Sequence, residues 1–250
     1  MTPRQAQAAT PRLPGTISAG IFDVDGVLLA SPHERAWREA LEGFADEARF
    51  TTAMYQSQVA GKPRLSGALA ALQALGVPNA AERAEGYAEN KQRRLEVLIR
   101  AGAVSAFADA LRFVNAVRAL GFPIAVASSS KNANEMMRRI RLDDQHSLFD
   151  VFRANVCGRD LPAGKPDPAI FLLAAAELPA EPDKCFVVED APAGIEAARA
   201  GGMVALGVAR FNDATSLWAA GADLVVTSLD EIDLDQLFDG RLSRRIHEKP

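Results

Sequence analysis

The sequence predicts an α/β protein with a doubly wound parallel sheet and an inserted α-helical cap domain. Three observations support this prediction. Residues 17–22 form a short apolar segment typical of a buried strand, and residues 33–101 show only helical periodicity. From Phe107 onward, strand and helix patterns alternate. Such alternation implies parallel strands joined by right-handed crossovers, so the helical block is an insertion after the first strand.

The elements of the predicted sheet follow one another in chain order. Phe107, Leu111, Val114, Val117 and Leu120 share one helical face, and Gly121 ends that helix. Further apolar patterns predict strands at 123–127, 151–154, 185–188, 204–208 and 224–226, and helices at 132–140, 168–177, 192–200, 213–220 and 231–238. Within the helical block, Leu65, Leu69, Leu72 and Leu75 form an apolar stripe.

The length and composition fit this architecture. The chain has 250 residues, of which 48% are hydrophobic and 24% charged, as in an ordinary globular protein. We expect a tail at 1–16, a core of 17–32 plus 103–240, a cap at 33–102, and a second tail at 241–250.

Charge and cysteine usage limit the partners and the compartment. A net charge of −4 leaves no basic surface for nucleic acid, and no apolar run is long enough to span a membrane. The first 16 residues lack the apolar stretch of a signal peptide. Cys157 and Cys185 match no metal-ligand spacing, which favours reduced thiols. We therefore expect a cytoplasmic monomer.

Polar residues follow four of the predicted elements at one edge of the sheet. These are Asp23 and Asp25, the segment from Ser128 to Asn132, Lys165 in a turn before a helix, and the pair Glu189 and Asp190. In an open parallel sheet, ligands bind outside the carboxyl ends of the strands. We therefore expect these side chains to converge on one crevice.

This set of residue types suits phosphoryl transfer. Asp23, Asp190 and Glu189 supply the oxygen ligands that Mg²⁺ prefers. Ser128, predicted at a helix N-terminus, and Lys165 would bind phosphate oxygens. Asp23 would attack phosphorus to give an aspartyl phosphate, while Asp25 acts as general acid and base.

Each feature also has an ordinary structural explanation. An Asp-x-Asp pair often occupies a turn, a serine often caps a helix, and Glu-Asp can precede a helix. All four together, at successive strand ends, favour a site. Other classes remain as alternatives: a phosphoacceptor signalling domain, which is usually half this length, a non-catalytic sugar-phosphate sensor, and a haloalkanoate dehalogenase, which needs neither Asp25 nor Mg²⁺.

The chain resembles the haloacid dehalogenase superfamily of phosphotransferases from about Ile17 to Val226. The four motifs of that family appear as Asp23-Val24-Asp25-Gly26-Val27, Ser128, Lys165 and Glu189-Asp190, the last followed by Ala191-Pro192-Ala193-Gly194-Ile195. The resemblance implies Asp23 as nucleophile, Asp25 as acid and base, and Ser128 and Lys165 as phosphate contacts. It also implies Mg²⁺ on Asp23, the main-chain carbonyl of Asp25 and Asp190, with Glu189 close by.

Within the superfamily, the chain looks most like the β-phosphoglucomutase family. The resemblance rests on Ser130, Lys131 and Asn132 in the serine-rich loop, His33 near the cap linker, and Arg64 and Lys91 in the cap. It implies that these six residues bind substrate and that β-glucose 1-phosphate is converted to glucose 6-phosphate. A sugar-phosphate phosphatase is the alternative, because it needs the same core motifs and only one anion site.

The cap is expected to move. Closure of the cap over the strand ends would exclude water from the aspartyl phosphate. The two linkers near 29–33 and 101–106 are the predicted hinges, with Gly102 in the second.

Overall fold

The computed structural model describes residues 16–178, 180–211 and 213–245. The strands are β1 (Ala19–Phe22), β2 (Leu29–Ala30), β3 (Ser105–Ala106), β4 (Ile124–Val126), β5 (Ala154–Asn155), β6 (Cys185–Glu189), β7 (Val204–Val208) and β8 (Leu224–Val226). The helices are α1 (His33–Glu39), α2 (Thr52–Met54), α3 (Arg64–Ala74), α4 (Ala80–Arg100), α5 (Ala108–Ala119), α6 (Ala133–Arg139), α7 (Ala169–Glu177), α8 (Pro192–Ala200), α9 (Ala214–Ala219) and α10 (Leu234–Phe238).

Six parallel strands form the main sheet in the order β5-β4-β1-β6-β7-β8. The chain leaves β1 toward one edge through β4 and β5, then returns to the other side of β1 with β6. The carboxyl end of β1 is therefore the point where the winding reverses, which is where such sheets bind ligands. The predicted α/β fold class is confirmed.

Helices cover both faces of the sheet. One apolar layer includes Val114 and Val117 of α5 and Met136 of α6. The opposite layer includes Phe171 of α7 and Ile195 of α8. Because apolar side chains fill both faces, the strands are rich in Val, Ile, Ala and Phe rather than alternating with polar residues.

The helices α1 to α4 form the cap, which has its own apolar core. Trp37, Leu41 and Tyr87 are buried there, and the Tyr87 hydroxyl donates to the Trp37 carbonyl at 2.8 Å. The predicted leucine stripe on α3 is only partly right. Leu72 is buried, but Leu65 is 58% exposed because the first turn of α3 faces the space between cap and core.

The linkers form an antiparallel ribbon that was not predicted from the sequence. β2 pairs with β3, with Leu29 opposite Ala106 and Ala30 opposite Ser105. Two-residue strands carry too little pattern to detect from sequence. Gly102 has φ +80°, and the preceding helix ends at Arg100.

Two other segments differ from prediction. Residues Leu148–Val151 form a 3₁₀ turn, so β5 begins only at Ala154. The helix expected at 231–238 is shorter, because Asp233 caps α10 by accepting from the amides of Asp235 and Gln236 at 3.0 Å.

The sequence predicts tails at 1–16 and 241–250, outside the core. Residues 1–15 and 246–250 lie outside the described part of the chain. Arg245 donates its amide to the Glu231 carbonyl at 2.7 Å and Asp233 donates to Ser243 at 3.0 Å, so residues 241–245 are attached to the core.

The longest helix is α4, with 21 residues. None of the described helices combines the length and the apolar composition of a membrane span.

Candidate active site at the carboxyl edge of the sheet

The predicted polar residues converge at the carboxyl ends of β1, β4 and β6. Asp23 directly follows β1, and its amide donates to the Val188 carbonyl at 3.0 Å. Glu189 ends β6 and Asp190 follows it, while Ser128 lies two residues beyond β4. Asp23, Ser128, Glu189 and Asp190 are all buried. The crevice expected from the strand order therefore exists.

Lys165 lies at the centre of this group and bridges two carboxylates. Its Nζ is 2.5 Å from Asp23 Oδ1 and 2.5 Å from Glu189 Oε1, and its side chain has no exposed surface. Burial alone would lower the pKa of Lys165, but the two carboxylates raise it above the ordinary value. The ammonium group therefore stays charged, and a buried lysine is stable here only because both partners are close.

A group of three carboxylates could hold a cation. Ligand oxygens of Asp23, Glu189 and Asp190 lie within 4.8 Å of one another. Burial, reinforced by the neighbouring carboxylates Glu189 and Asp23, raises the pKa of Asp190 well above its ordinary value. Such a group needs either a proton or a cation, and hard oxygen ligands suit Mg²⁺. The Asp25 carboxyl is not part of this group.

Two glycines leave room for these carboxylates. At Gly26, where φ is +81°, an added Cβ would lie 1.9 Å from Asp190 Oδ2. At Gly194, an added Cβ would lie 2.0 Å from Glu189 Oε1. Glu189 Oε2 accepts from the amides of Asp190 and Ala191 at 3.0 and 3.2 Å. The glycines of both motifs thus permit backbone to approach the carboxylates closely.

Ser128 occupies a different local setting from the one predicted. Helix α6 begins at Ala133, so Ser128 is not at a helix N-terminus. Its hydroxyl instead accepts from the Ser130 amide at 3.1 Å, as serine hydroxyls do in tight turns. The prediction failed because Ser128 to Asn132 form a loop before the helix starts.

Asp25 faces the cap. Its Oδ1 is buried without a hydrogen-bond partner in the described chain, and it lies 3.6 Å from His33 Nε2. Burial raises the pKa of the Asp25 carboxyl. A carboxyl with a raised pKa and an unpaired oxygen is suited to carry a proton to or from a ligand.

His33 links Asp25 to the cap helix α4. His33 Nδ1 is 3.1 Å from Lys91 Nζ, and His33 Nε2 is 3.4 Å from Ser130 Oγ. Burial and the Lys91 charge hold the pKa of His33 well below its usual value, so the ring is neutral. Burial also lowers the pKa of Lys91 to about 7, an effect that Asp25 opposes. Three predicted substrate-binding residues are thus brought together.

The other predicted substrate-binding residues line the same space with different partners. Arg64 begins α3 and lines the cavity. The Lys131 ammonium is 2.7 Å from Asp160 Oδ1, in an exposed ion pair at the cavity edge. The Asn132 amide exchanges hydrogen bonds with Gln92 of α4 at 3.1 and 3.2 Å. Asn132 therefore joins core to cap in this structure.

The site opens into a cavity of about 420 Å³ between cap and core. Its cap wall includes Trp37, Tyr55 and Gln56, which were not singled out from the sequence. Tyr55 and Gln56 begin a π-helical turn, Tyr55–Val59. Such turns are rare and are often found at functional sites, but they leave no recognisable pattern in sequence.

Arg210 is a second residue that sequence reasoning missed. It lies in the loop after β7 and donates to the carbonyls of Gly26 and Val27 at 3.3 and 3.2 Å. It also pairs with Asp109 of α5 at 2.7 Å and stacks on the Phe107 ring at 4.1 Å. Arg210 thus fixes the turn that follows Asp25, through contacts far apart in sequence.

The cap is closed over the site. An added Cβ at Gly164 of the core would lie 2.0 Å from Pro63 Cγ of the cap, so the two segments touch. The Ser129 hydroxyl donates to the Gly61 carbonyl at 3.3 Å. Together with the Gln92–Asn132 pair, these contacts join cap and core beside the buried carboxylates Asp23, Glu189 and Asp190.

The chain is similar to a known protein family over most of its length. The sequence model of a family described as haloacid dehalogenase-like hydrolase matches residues 17–202. A β-phosphoglucomutase of Mycobacterium bovis is 34% identical, over 88% of this chain and 93% of its own length. A phosphorylated carbohydrates phosphatase of Thermotoga maritima is 31% identical, over 84% of this chain and 94% of its own.

A solved structure of a similar protein shares this fold over most of the chain. The crystal structure of an archaeal β-phosphoglucomutase from Pyrococcus sp. strain ST 04 superposes with a TM-score of 0.67 at 32% identity. The match covers 88% of this chain and 96% of that one. The similarity therefore spans both the sheet and the cap.

Proposed function

Because this chain belongs to the haloacid dehalogenase-like hydrolase family, we propose that it transfers the phosphoryl group of a sugar phosphate through an aspartyl phosphate on Asp23. The most specific form of the proposal is a β-phosphoglucomutase-type isomerase, which converts β-glucose 1-phosphate to glucose 6-phosphate. The observation that carries phosphoryl transfer is the buried group of Asp23, Lys165, Glu189 and Asp190, of which Asp23, Lys165 and Asp190 line the cavity between cap and core.

Asp23 is the proposed nucleophile. Lys165 occupies Oδ1 at 2.5 Å, which leaves Oδ2 to attack phosphorus. The new Oδ2–P bond forms as the P–O bond to the sugar breaks. The Lys165 charge lowers the repulsion between Asp23 and the incoming phosphate, and it remains available because the pKa of Lys165 is raised.

Asp25 is the proposed acid and base. In the first step its carboxyl gives a proton to the sugar oxygen that leaves phosphorus. In the second step the carboxylate takes a proton from the hydroxyl that attacks the aspartyl phosphate, and Asp23 is released. The raised pKa of Asp25 lets one group serve both steps.

We propose Mg²⁺ as the cofactor, held by Asp23 and Asp190 with Glu189 beside them. The spacing of the three carboxylates fits a small cation with oxygen ligands, and Gly26 and Gly194 let the backbone pack closely against Asp190 and Glu189. When bound, Mg²⁺ would neutralise charge on the transferring phosphoryl group. The main-chain carbonyl of Asp25, expected from the sequence as a further ligand, stays a proposal.

In this proposal the cap determines whether a sugar hydroxyl or water accepts the phosphoryl group, and so whether the enzyme is a mutase or a phosphatase. A mutase must hold a second phosphate away from Asp23, and Arg64 and Lys131 at the cavity wall are the proposed site for it. Lys131 must leave Asp160 to do so, and that exposed ion pair is weak. The closed cap also limits the access of water to the aspartyl phosphate, which favours a sugar hydroxyl as acceptor.

Product analysis tests the proposal. We would incubate the protein with β-glucose 1-phosphate, Mg²⁺ and a glucose bisphosphate primer, then measure glucose 6-phosphate and inorganic phosphate together. Glucose 6-phosphate as the main product supports the mutase. Inorganic phosphate with no glucose 6-phosphate supports the phosphatase, the activity in the name of the Thermotoga relative. The absence of both products would contradict both forms of the proposal.

A further inference from the structure

Gln56 is a buried polar residue on the cap side of the cavity. It is 6% exposed, lies on the π-helical turn Tyr55–Val59 and lines the space between cap and core. Its Oε1 is buried and has no hydrogen-bond partner in residues 16–178, 180–211 and 213–245. By contrast, the buried Lys91, Asp109 and Lys165 all have partners at 3.1 Å or less.

An unpaired amide oxygen in this place is costly to the protein alone. A buried carbonyl oxygen without a donor loses the hydrogen bond that water gives it in the unfolded chain. Methionine would fill nearly the same volume without that loss. Gln58, on the same turn, shows the ordinary alternative, because it is exposed to solvent. A role in packing therefore does not account for an amide at position 56.

A substrate bound in the cavity would supply the missing hydrogen-bond donor to Gln56. The cavity that it lines also contains Asp25 and Arg64, which stand at the two places where we propose that substrate binds. A substrate that extends between them passes the cap wall. Sugar hydroxyls donate hydrogen bonds, and the Gln56 carbonyl oxygen accepts them.

We propose that Gln56 accepts a hydrogen bond from a hydroxyl group of the substrate, distant from the reacting phosphate, and so selects polyhydroxylated phosphate esters. This inference rests on the proposed function and adds a specificity-determining residue to it. When the cap closes on a ligand without that hydroxyl, the Gln56 amide oxygen is buried unpaired. When it closes on a sugar phosphate, that oxygen is satisfied. Discrimination of this kind is strong because the penalty falls on the wrong ligand.

The experiment compares two substrates in matched variants. We would measure kcat/KM for total phosphoryl transfer from β-glucose 1-phosphate and from propyl phosphate, which has no hydroxyl group. In Gln56→Met, the ratio of the two kcat/KM values should fall at least about tenfold relative to the unaltered protein. Gln58→Met is the control, since Gln58 is exposed on the same turn, and it should keep the ratio.

Thermal unfolding of each variant separates folding from specificity. If Gln56→Met does not fold, Gln56→Ala removes the amide without adding bulk and takes its place. Equal loss for both substrates, or an unchanged ratio, would overturn the role of Gln56. If the unaltered protein transfers phosphate from neither ester, the proposed function fails first and this inference fails with it.

Discussion

At the scale of single residues, one ammonium group serves two buried carboxylates. Lys165 contacts Asp23 and Glu189 at the same distance, and Glu189 is held in turn by the amides of Asp190 and Ala191. Both Glu189 oxygens are therefore engaged by the protein. Burial raises the pKa of both acids, that of Glu189 to about 7 and that of Asp190 well above its usual value. The contacts of Glu189 distinguish it, since Lys165 and two backbone amides bind its oxygens.

Replacing the proposed nucleophile should abolish turnover. We expect Asp23→Asn to lower kcat by at least about a thousandfold, because the amide cannot form the aspartyl phosphate. The variant should still fold, since Lys165 keeps its contact with Glu189. The measurement is steady-state turnover together with covalent labelling by a phosphorylated substrate. Labelling of the Asp23→Asn variant at the level of the unaltered protein would contradict the assignment.

Removal of divalent metal should stop the reaction, and added Mg²⁺ should restore it. We expect Asp190→Asn to raise the Mg²⁺ concentration for half-maximal activity more than Glu189→Gln does. The reason is that Glu189 Oε1 and Oε2 already bind Lys165 and backbone amides. A titration of activity against Mg²⁺ after chelation checks this. The reverse order of the two variants would show that Glu189, not Asp190, is the principal ligand.

The residues found from sequence are those with short motifs. Asp23 and Asp25 follow β1, Glu189 ends β6 and Asp190 follows it, and strand ends can be predicted from apolar runs. Gln56 and Arg210 were not found from the sequence, because the burial of the first and the distant contacts of the second appear only in the folded structure. No local pattern marks a buried amide without a partner or a guanidinium on the carbonyls of Gly26 and Val27.

At the scale of elements, the pair Asp109–Arg210 joins four segments. Asp109 on α5 accepts from the Leu229 amide at 2.8 Å and from Arg210 at 2.7 Å. Arg210 reaches the turn between β1 and β2. The pair thus joins the start of α5, the loops after β7 and β8, and the turn after Asp25. Neither Asp109 nor Arg210 lines the cavity, so this pair supports the site from outside it.

Asp109→Asn should reduce stability in a pH-dependent way. Burial would raise the pKa of Asp109, but Arg210 and the Leu229 amide hold it below the ordinary 3.8. The contribution of Asp109 to the free energy of unfolding is therefore complete above pH 3.8 and is lost as the pH falls below that value. We expect a loss of about 1–3 kcal/mol in the free energy of unfolding at pH 7.

Denaturant unfolding at pH 7 and pH 3 measures both effects. The difference between Asp109→Asn and the unaltered protein should shrink at the lower pH. Asp230→Asn is the control, because Asp230 forms an exposed pair with Arg112 of the same helix as Asp109, and its effect at pH 7 should be smaller. A difference in the free energy of unfolding between Asp109→Asn and the unaltered protein that is the same at both pH values would contradict the prediction.

Elements with long apolar patterns were predicted well, and short ones were not. The patterns at 192–200 and 204–208 give α8 and β7 with the expected bounds. The two-residue strands β2 and β3 were missed, because a strand that short is defined by its partner. Ser128 was assigned to a helix start because the serine-rich segment resembles a cap, whereas α6 begins at Ala133.

At the scale of the whole molecule, the cap and core meet through small residues. Gly164 lies directly against the Pro63 ring, and Gly61 of the cap lies beside Ala191, with an added Cβ at 3.4 Å. Close approach of these backbones allows the Gln92–Asn132 and Ser129–Gly61 hydrogen bonds to form. The closed state depends on the absence of one side chain at position 164.

Gly164→Ala should impair closure of the cap without unfolding either part. The new Cβ would lie 2.0 Å from Pro63 Cγ and 2.4 Å from Pro63 Cδ. We expect kcat to fall at least about tenfold, because closure assembles the site and excludes water. Pro63→Ala removes both clashing atoms and leaves the residue 63 Cβ at 3.5 Å, so the double variant should regain activity. Steady-state kinetics of the two single variants and the double variant check this, and a double variant no better than Gly164→Ala would refute it.

The ribbon of β2 and β3 has a consequence for how the molecule is assembled. Because Ala30 lies opposite Ser105, the two points where the chain leaves and re-enters the core are neighbours. For the core, the entire cap is equivalent to the loop of a β-hairpin. The entropic cost of closing a loop rises only with the logarithm of its length. The length of the cap therefore has little effect on the stability of the core. We therefore expect substitutions in the cap to alter substrate preference while the fold of the core stays unchanged.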